Sequence, residues 1–266
     1  MKEVYSLKEN KVFTFFVSLV YVFLCAPLLI IITTAFDSGN IMSFPPKGFS
    51  LQWFVNVFNS ETFMTTLGIS FKVAVLATVI AMIIGIPAAY ALSRKNYRGK
   101  AVVQSIFLSP IIVPGVVLGF AFFRFLIIKL QLDVFSSLLI GHVIIVIPYI
   151  IRVVGSSLDN LDFSIEEAAV SLGATKLKAF FLIILPNVTS GVIAAFMLAF
   201  INSFNNVPVS LFLTGPGVST LPISMMSYVE YNYDPTISAL SVILMVMTVL
   251  IMFGVEKTLG ISNFAK

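Results

Sequence analysis

The chain has 266 residues, 59% of them hydrophobic and only 11% charged, with sixteen basic and twelve acidic side chains, one histidine and one cysteine. A soluble domain holds about 25% charged residues; the mean hydropathy of +1.05 excludes that class and makes lipid the solvent for much of this surface. The single cysteine, Cys25, excludes a disulfide framework and a cysteine-built metal site, and the single histidine, His142, excludes a histidine cluster.

Residues 1–11 form a short polar N-terminal segment. A helix crossing the bilayer needs about 20 mainly apolar residues. Six stretches satisfy this: 12–35, 62–92, 101–128, 136–153, 187–212 and 235–256. None alternates with period two, so helices are predicted rather than a barrel. Pro27, Pro87, Pro110, Pro114 and Pro148 fall inside them and predict kinks or broken turns. The first stretch is too long for a secretory signal, no small-x-small site follows it, and Leu24 precedes Cys25 where a lipoprotein signal needs a small residue. It reads as a retained helix, with Cys25 a packed apolar residue.

Segment 36–60 carries Pro45-Pro46, Gly48 and the only tryptophan, Trp53. Two readings fit: an interfacial segment with an aromatic anchor, or a docking surface. A second loop, 213–234, combines the Gly215-Pro216-Gly217 turn with aromatics from Tyr228 on, which predicts an ordered loop suited to an external protein. Basic residues orient the chain. Lys2, Lys8, Lys11, Arg94, Lys95, Arg98, Lys100, Arg152, Lys176, Lys178, Lys257 and Lys266 share one side, whereas the opposite loops carry Lys47 and Lys129. The rich side is the cytoplasm, so both termini are cytoplasmic. The net charge of +4 reflects this topology and leaves no basic face for nucleic acid.

Segment 154–186 differs from its surroundings. It holds Asp159, Asp162, Glu166 and Glu167, then Gly173, Lys176 and Lys178. Ser164 and Glu167 have the spacing of a capping box, Glu166 and Glu167 suit a first helical turn, and Gly173 suits a left-handed cap. A second short helix is predicted from Thr175 to about Ile184, with Pro186 at the entry to the fifth span. The result is a helix–Gly–helix element on the cytoplasmic face.

Charges in spans are costly. Arg124 and Glu256 lie near span ends and read as snorkelling side chains, and His142 as a satisfied structural histidine. Lys72 either snorkels or lines a path. The cluster Asn202, Ser203, Asn205 and Asn206 implies a wet lining or helix–helix hydrogen bonds. A membrane enzyme is disfavoured, because there is one histidine, no H-E-x-x-H and no paired carboxylates in a span. A secondary transporter lacks support, with no acidic midplane group and no internal repeat.

Glu167-Ala168-Ala169, Gly173, Ile183 and Leu185-Pro186 stand at the spacing of the EAA loop and resemble that loop in bacterial ABC importer permeases. Ala88 to Arg94 with Tyr97-Arg98-Gly99-Lys100 resembles the family's second-span exit, and Ser109-Pro110 with Pro114 its third span. Ser210 to Pro216 with Thr220-Leu221-Pro222 is similar to the spermidine/putrescine branch. Only the first ten or so residues and the extreme C-terminus lack a counterpart.

The resemblance implies an all-α membrane protein with the six transmembrane helices of the type I ABC importer permease fold, multi-pass in the bacterial inner membrane. A first helix, 12–35, and an extracellular loop, 36–60, precede a permease core, 61–256, with its coupling loop at 154–186; residues 257–266 form a cytoplasmic C-terminus. It implies a transport subunit without catalytic residues or cofactor. Its partners are cytoplasmic ABC ATPase subunits, a second and non-identical permease subunit, and an external solute-binding protein. The chain carries no GxxxxGK[ST], so the ATPase is separate. Glu167, Ala168, Ala169, Gly173, Ile183 and Pro186 would dock the ATPase. Asn202, Asn205, Asn206 and Lys72 are candidates for the translocation path. A polyamine is the implied solute, although relatives in that branch often carry acidic residues where this chain has Asn205-Asn206. Another organic amine, a phosphonate, a metal or an oxyanion stays open.

Overall fold

The computed structural model of the protein describes residues 11–94 and 97–259. The expected terminal segments lie largely outside these, as do Lys95 and the side chain of Glu256. The helices, in chain order, are α1 (Lys11–Ala35), α2 (Gln52–Asn59), α3 (Glu61–Arg94), α4 (Lys100–Ile112), α5 (Gly115–Phe122), α6 (Val134–Asp159), α7 (Ser164–Ser171), α8 (Lys176–Ala179), α9 (Leu185–Asn187), α10 (Thr189–Phe204), α11 (Leu221–Tyr231) and α12 (Thr236–Leu259). π-helical segments extend α5 through Phe123–Lys129 and join α8 to α9 through Phe180–Ile184.

Four helices are long and apolar enough to span a bilayer unaided: Phe13–Ala35, Glu61–Arg94, Val134–Asp159 and Thr236–Gly254. α1, α3 and α6 continue through Pro27, Pro87 and Pro148. The other two expected spans are bent pairs. Lys100–Ile112 and Gly115–Lys129 meet at 100°. The break falls at Val113, held extended (φ −78°, ψ 132°) because the ring of Pro114 disfavours the helical region for the residue before it. Pro110 lies inside α4 without interrupting it.

The second pair, Lys176–Asn187 and Thr189–Phe204, bends by 74°. Its break is at Val188, beyond Pro186, which sits within α9. Asn187 Nδ2 donates to the Ile183 carbonyl (2.7 Å) and the Thr189 hydroxyl to that of Pro186 (2.8 Å), so side chains serve the carbonyls around the interruption. The span also ends at Phe204, earlier than the expected residue 212. Asn206 Oδ1 there accepts the Val209 N–H (3.0 Å) and folds the chain into a turn.

The described chain divides into two units, one holding residues through Glu61 with Tyr228–Val249, the other Thr62–Ser227 with the residues from Leu250 on. In the first, α1 leaves its apolar surface uncovered, Phe23 being 77% exposed. Cys25 is likewise exposed rather than packed. Asp37, fully enclosed, organises the segment after α1. Its Oδ1 accepts the N–H groups of Gly39 (3.0 Å) and Lys47 (2.9 Å), and its Oδ2 the Ser43 hydroxyl (2.9 Å). Trp53 is no interfacial anchor. It is buried on α2, because its indole N–H donates to the Asp37 carbonyl at 2.7 Å. The segment is tied to the start of α12 by Met42 N–H to Tyr233 O (2.8 Å) and Thr34 Oγ1 to Ser238 Oγ (3.1 Å).

In the second unit α6 and α10 form the centre, with Val146, Ile150 and Val154 against Ala195 and Ala199 in one buried cluster. Close approach is set by small residues. A Cβ on Gly119 of α5 would lie 2.7 Å from the Pro208 carbonyl oxygen. The expected loop 213–234 contains α11, whose Leu221 N–H donates to Ser70 Oγ of α3 at 2.7 Å.

The Gly39 amide, reinforced by that of Lys47 and the Ser43 hydroxyl, holds the Asp37 carboxyl below the ordinary carboxylate value despite its burial. A depressed value makes this anchoring fully present above the ordinary range and lost only as pH falls through the lowered one. Amide-exchange protection at Gly39 and Lys47 is therefore expected to persist into the ordinary carboxylate range and collapse below it. In Asp37→Ala it is expected to be absent at every pH.

Candidate functional site

The helix–Gly–helix element is present, with one change at its start. Ser164 does not cap α7. Asp162 replaces it: its Oδ1 accepts the Ser164 N–H at 2.9 Å, because a carboxylate two residues upstream reaches the first free amide in an Asx turn. That N–H and the Ser164 hydroxyl keep the Asp162 carboxyl below its ordinary value. Glu166 and Glu167 occupy the first turn, as expected.

α7 closes with a Schellman motif. Gly173 N–H donates to Val170 O (3.0 Å) and Ala174 N–H to Ala169 O (3.0 Å). Gly173 itself stands at φ +92°, where a side chain costs about 1–2 kcal/mol. Two residues on, Thr175 Oγ1 accepts the Lys178 N–H (3.3 Å) and starts α8. The chain thus passes from one helix to the next within four residues.

Consecutive residues on a helix point about 100° apart, and this divides the paired glutamates. Glu167 and Ala168 are exposed, whereas Ala169 is buried and Glu166 turns inward. Glu166 accepts a hydrogen bond from the Tyr90 hydroxyl, and its Oε2 lies 3.2 Å from Arg94 Nε. Tyr90 and Arg94 are one helical turn apart at the end of α3, so they share a face. The Arg94 side chain is 5% exposed, and its guanidinium sits 3.4 Å over the Phe163 ring. The Tyr90 ring packs edge-on against Phe180, centroids 4.9 Å apart. Ser93 Oγ donates to Asp159 Oδ1 at the end of α6 (2.5 Å). A cleft of about 690 Å³ lies beside this cluster, lined by Tyr90, Arg94, Phe163 and Glu167 among others. The sequence reading placed the chemistry on Glu167 and missed the Tyr90–Arg94–Glu166 cluster. Its only signal was the four-residue spacing of Tyr90 and Arg94 at a helix end.

Of the remaining docking candidates, Gly173 and Pro186 are exposed and Ile183 is half-buried in the π segment. The candidate path residues are differently engaged. Asn202 Nδ2 donates to Leu198 O of its own helix (2.9 Å), Asn205 is the exposed residue ending α10, and the Asn206 side chain serves its turn. Lys72 is exposed on α3, and no hydrogen bond or ion pair joins it to these asparagines among the described residues. Beside them His142, 1% exposed, bridges α6 to the end of α10. Its Nδ1 lies 2.8 Å from Ser203 Oγ and its Nε2 3.0 Å from Ser210 Oγ. Ser210 donates its own proton to Asn206 O (2.7 Å), so Nε2 carries the hydrogen and Ser203 donates to Nδ1. His142 is a satisfied structural histidine. Among the described residues no group of three His, Cys, Asp or Glu side chains could hold a metal ion.

Residues 77–259 match the family of the binding-protein-dependent transport system inner membrane component. The chain belongs to this family. It is the inner-membrane permease subunit of an ABC importer, a transport subunit and not an enzyme. The permease is 31% identical over 233 residues to the putrescine transport system permease protein PotI of Escherichia coli, covering 85% of this chain and 82% of that one. It is also 31% identical to the spermidine/putrescine transport system permease protein PotC of Escherichia coli, over 90% of each chain. Among solved structures it superimposes on a chain of a bacterial ABC transporter involved in the import of the acidic polysaccharide alginate, with TM-score 0.71 and 19% identity over 93% of this chain and 94% of that one. A chain of the inward-facing MetNI methionine ABC transporter matches with TM-score 0.61 and 20% identity, over 75% and 97%. The fold of the permease is that of the type I ABC importers.

Replacing Gly173 by valine forces a β-branched residue to positive φ and is expected to destabilise the α7–α8 turn by about 2 kcal/mol or more. Limited proteolysis in membrane vesicles should then cleave between Ser171 and Thr175, with the amount of inserted protein unchanged.

Proposed function

We propose that this permease imports a polyamine of the spermidine/putrescine class, driven by separate cytoplasmic ATPase subunits. The observation that carries the substrate class is the pair of relatives named for putrescine and spermidine/putrescine transport, each matched over more than four-fifths of both chains. The basic loops, including Arg98, Lys100, Lys176 and Lys178, face the cytoplasm, where their excess sets the orientation.

Glu167, Ala168, Ala169, Gly173, Ile183 and Pro186 form the docking element. Exposed Glu167 offers a carboxylate for a charge-assisted contact, and small Ala168 beside it permits close approach. Gly173 provides the turn between α7 and α8. ATP-driven closure of the ATPase pair moves this element, and a second, non-identical permease subunit completes the pathway. An external binding protein delivers the solute on the opposite side. One structural neighbour is a bacterial alginate ABC transporter in complex with an alginate pentasaccharide-bound periplasmic protein. Asn202, Asn205, Asn206 and Lys72 are the polar groups assigned to the path. The pair Asn205-Asn206, which offers a cation no carboxylate, supports a second reading, a solute other than a polycation, such as a glycoside. A relative, 28% identical over 74% of this chain, is named as the sulfoquinovosyl glycerol transport system permease protein SmoH of Agrobacterium fabrum.

Two measurements test the reading. Cells lacking their own polyamine importers and expressing the complete system should accumulate labelled putrescine in a vanadate-sensitive manner; accumulation of a glycoside instead reassigns the solute. Loss of one charge-assisted contact is worth about 1.5–3 kcal/mol. Glu167→Lys is therefore expected to weaken ATPase co-purification by about tenfold or more, with membrane insertion unchanged.

A further inference from the structure

We propose that Glu166, through Tyr90 and Arg94, is the positioning residue that ties the docking helix α7 to membrane helix α3. The proposal rests on the functional reading above and adds to it the route by which movement of the loop enters a span. Docking itself uses the outward face of α7, where Glu167 and Ala168 are exposed. A displacement of that face does no work unless α7 is fixed to something that crosses the membrane.

α7 has only eight residues and little apolar surface to hold it, with Ala169 its only fully buried side chain. Glu166 supplies what packing does not. Its two oxygens engage two side chains of α3, the Tyr90 hydroxyl and Arg94 Nε. Phe163, immediately before α7, covers the Arg94 guanidinium from the other side. Phe180, beyond α8, closes on the Tyr90 ring. Both arms of the loop therefore grip the last turn of α3, and the contact is shielded from water, with Arg94 5% and Glu166 14% exposed. In that setting a charge pair is screened little and tolerates the loss of neither partner. None of the three Arg94 guanidinium nitrogens has a hydrogen-bond partner among the described residues, so the ion pair with Glu166 is what compensates this buried cation.

The test uses the complete complex with its ATPase in nanodiscs, with spin labels at Leu172 beyond α7 and Ile83 on α3, both exposed, in a Cys25→Ser background. The wild-type distance distribution is expected to stay equally narrow without nucleotide and with ATP plus vanadate. In Glu166→Gln, which keeps size and a hydrogen bond to Tyr90, the ATPase should still co-purify while the distribution broadens with ATP plus vanadate. The reversed pair Arg94→Glu with Glu166→Arg is expected to narrow it again. Tyr90→Phe, the gentlest change, should give an intermediate width. An equally narrow Glu166→Gln distribution would overturn the proposal. So would loss of the ATPase from Glu166→Gln, which would make Glu166 a docking residue. Failure of the wild-type chain to retain any ATPase would instead bring down the functional reading and this proposal together.

Discussion

A backbone amide or carbonyl released from a helix inside hydrocarbon has no water to turn to, and the described breaks at Val113, at Val188 and beyond α10 are each built around substitute partners. At the Val113 break, the Val113 N–H still reaches Ser109 O, and Pro114 O collects the amides of Val117 and Leu118 at 2.9 and 3.1 Å. At the Val188 break, Asn187 and Thr189 give their side-chain donors to carbonyls. Beyond α10, Asn206 serves as acceptor through its side chain and again through its carbonyl. The first amide of α11 is taken by Ser70. Polar residues in an apolar chain thus concentrate where the helical ladder fails.

Three enclosed polar side chains answer a similar constraint by gathering partners around them. His142 holds two serine hydroxyls, and one of these passes its own proton to a carbonyl. Arg94 is neutralised by Glu166 and covered by an aromatic ring. Asp37, in the other unit, accepts three donors from its own loop. His142 and Asp37 are satisfied by several convergent hydrogen bonds, whereas Arg94 relies on one ion pair and a ring face. Asn202 and Asn206, by contrast, each have a local backbone partner.

The spans were legible because hydrophobicity over about 20 residues is a one-dimensional property, and the glycine cap at Gly173 was legible because a left-handed turn between two short helices demands that residue. What the sequence hid depends on partners distant in the chain. Pro87 and Pro114 look alike in sequence, yet only Pro114 accompanies a break. Trp53 fits either an interfacial anchor or a docking surface until the Asp37 carbonyl, sixteen residues earlier, is seen to take its N–H. The capping box at Ser164 and Glu167 competes with Asp162, and the carboxylate wins because it satisfies the Ser164 amide directly. The two π segments and α11 left no periodic signal of their own.

The pair Glu166-Glu167 shows most sharply how far a motif can be read without a fold. Spacing marks the loop but cannot say which carboxylate faces which way, because that depends on the angle at which α7 leaves α6. Asp162 accepts the Ser164 amide at the start of α7, and within the first turn that follows Glu166 faces α3. Once Glu166 is engaged, Glu167 is necessarily about 100° away and open to solvent. In the proposed docking, a partner meeting Glu167 would push on a helix whose neighbouring face, that of Glu166, is already joined to α3. The two adjacent carboxylates are therefore not redundant: one presents the loop outward, and the other gives that surface something rigid to stand on.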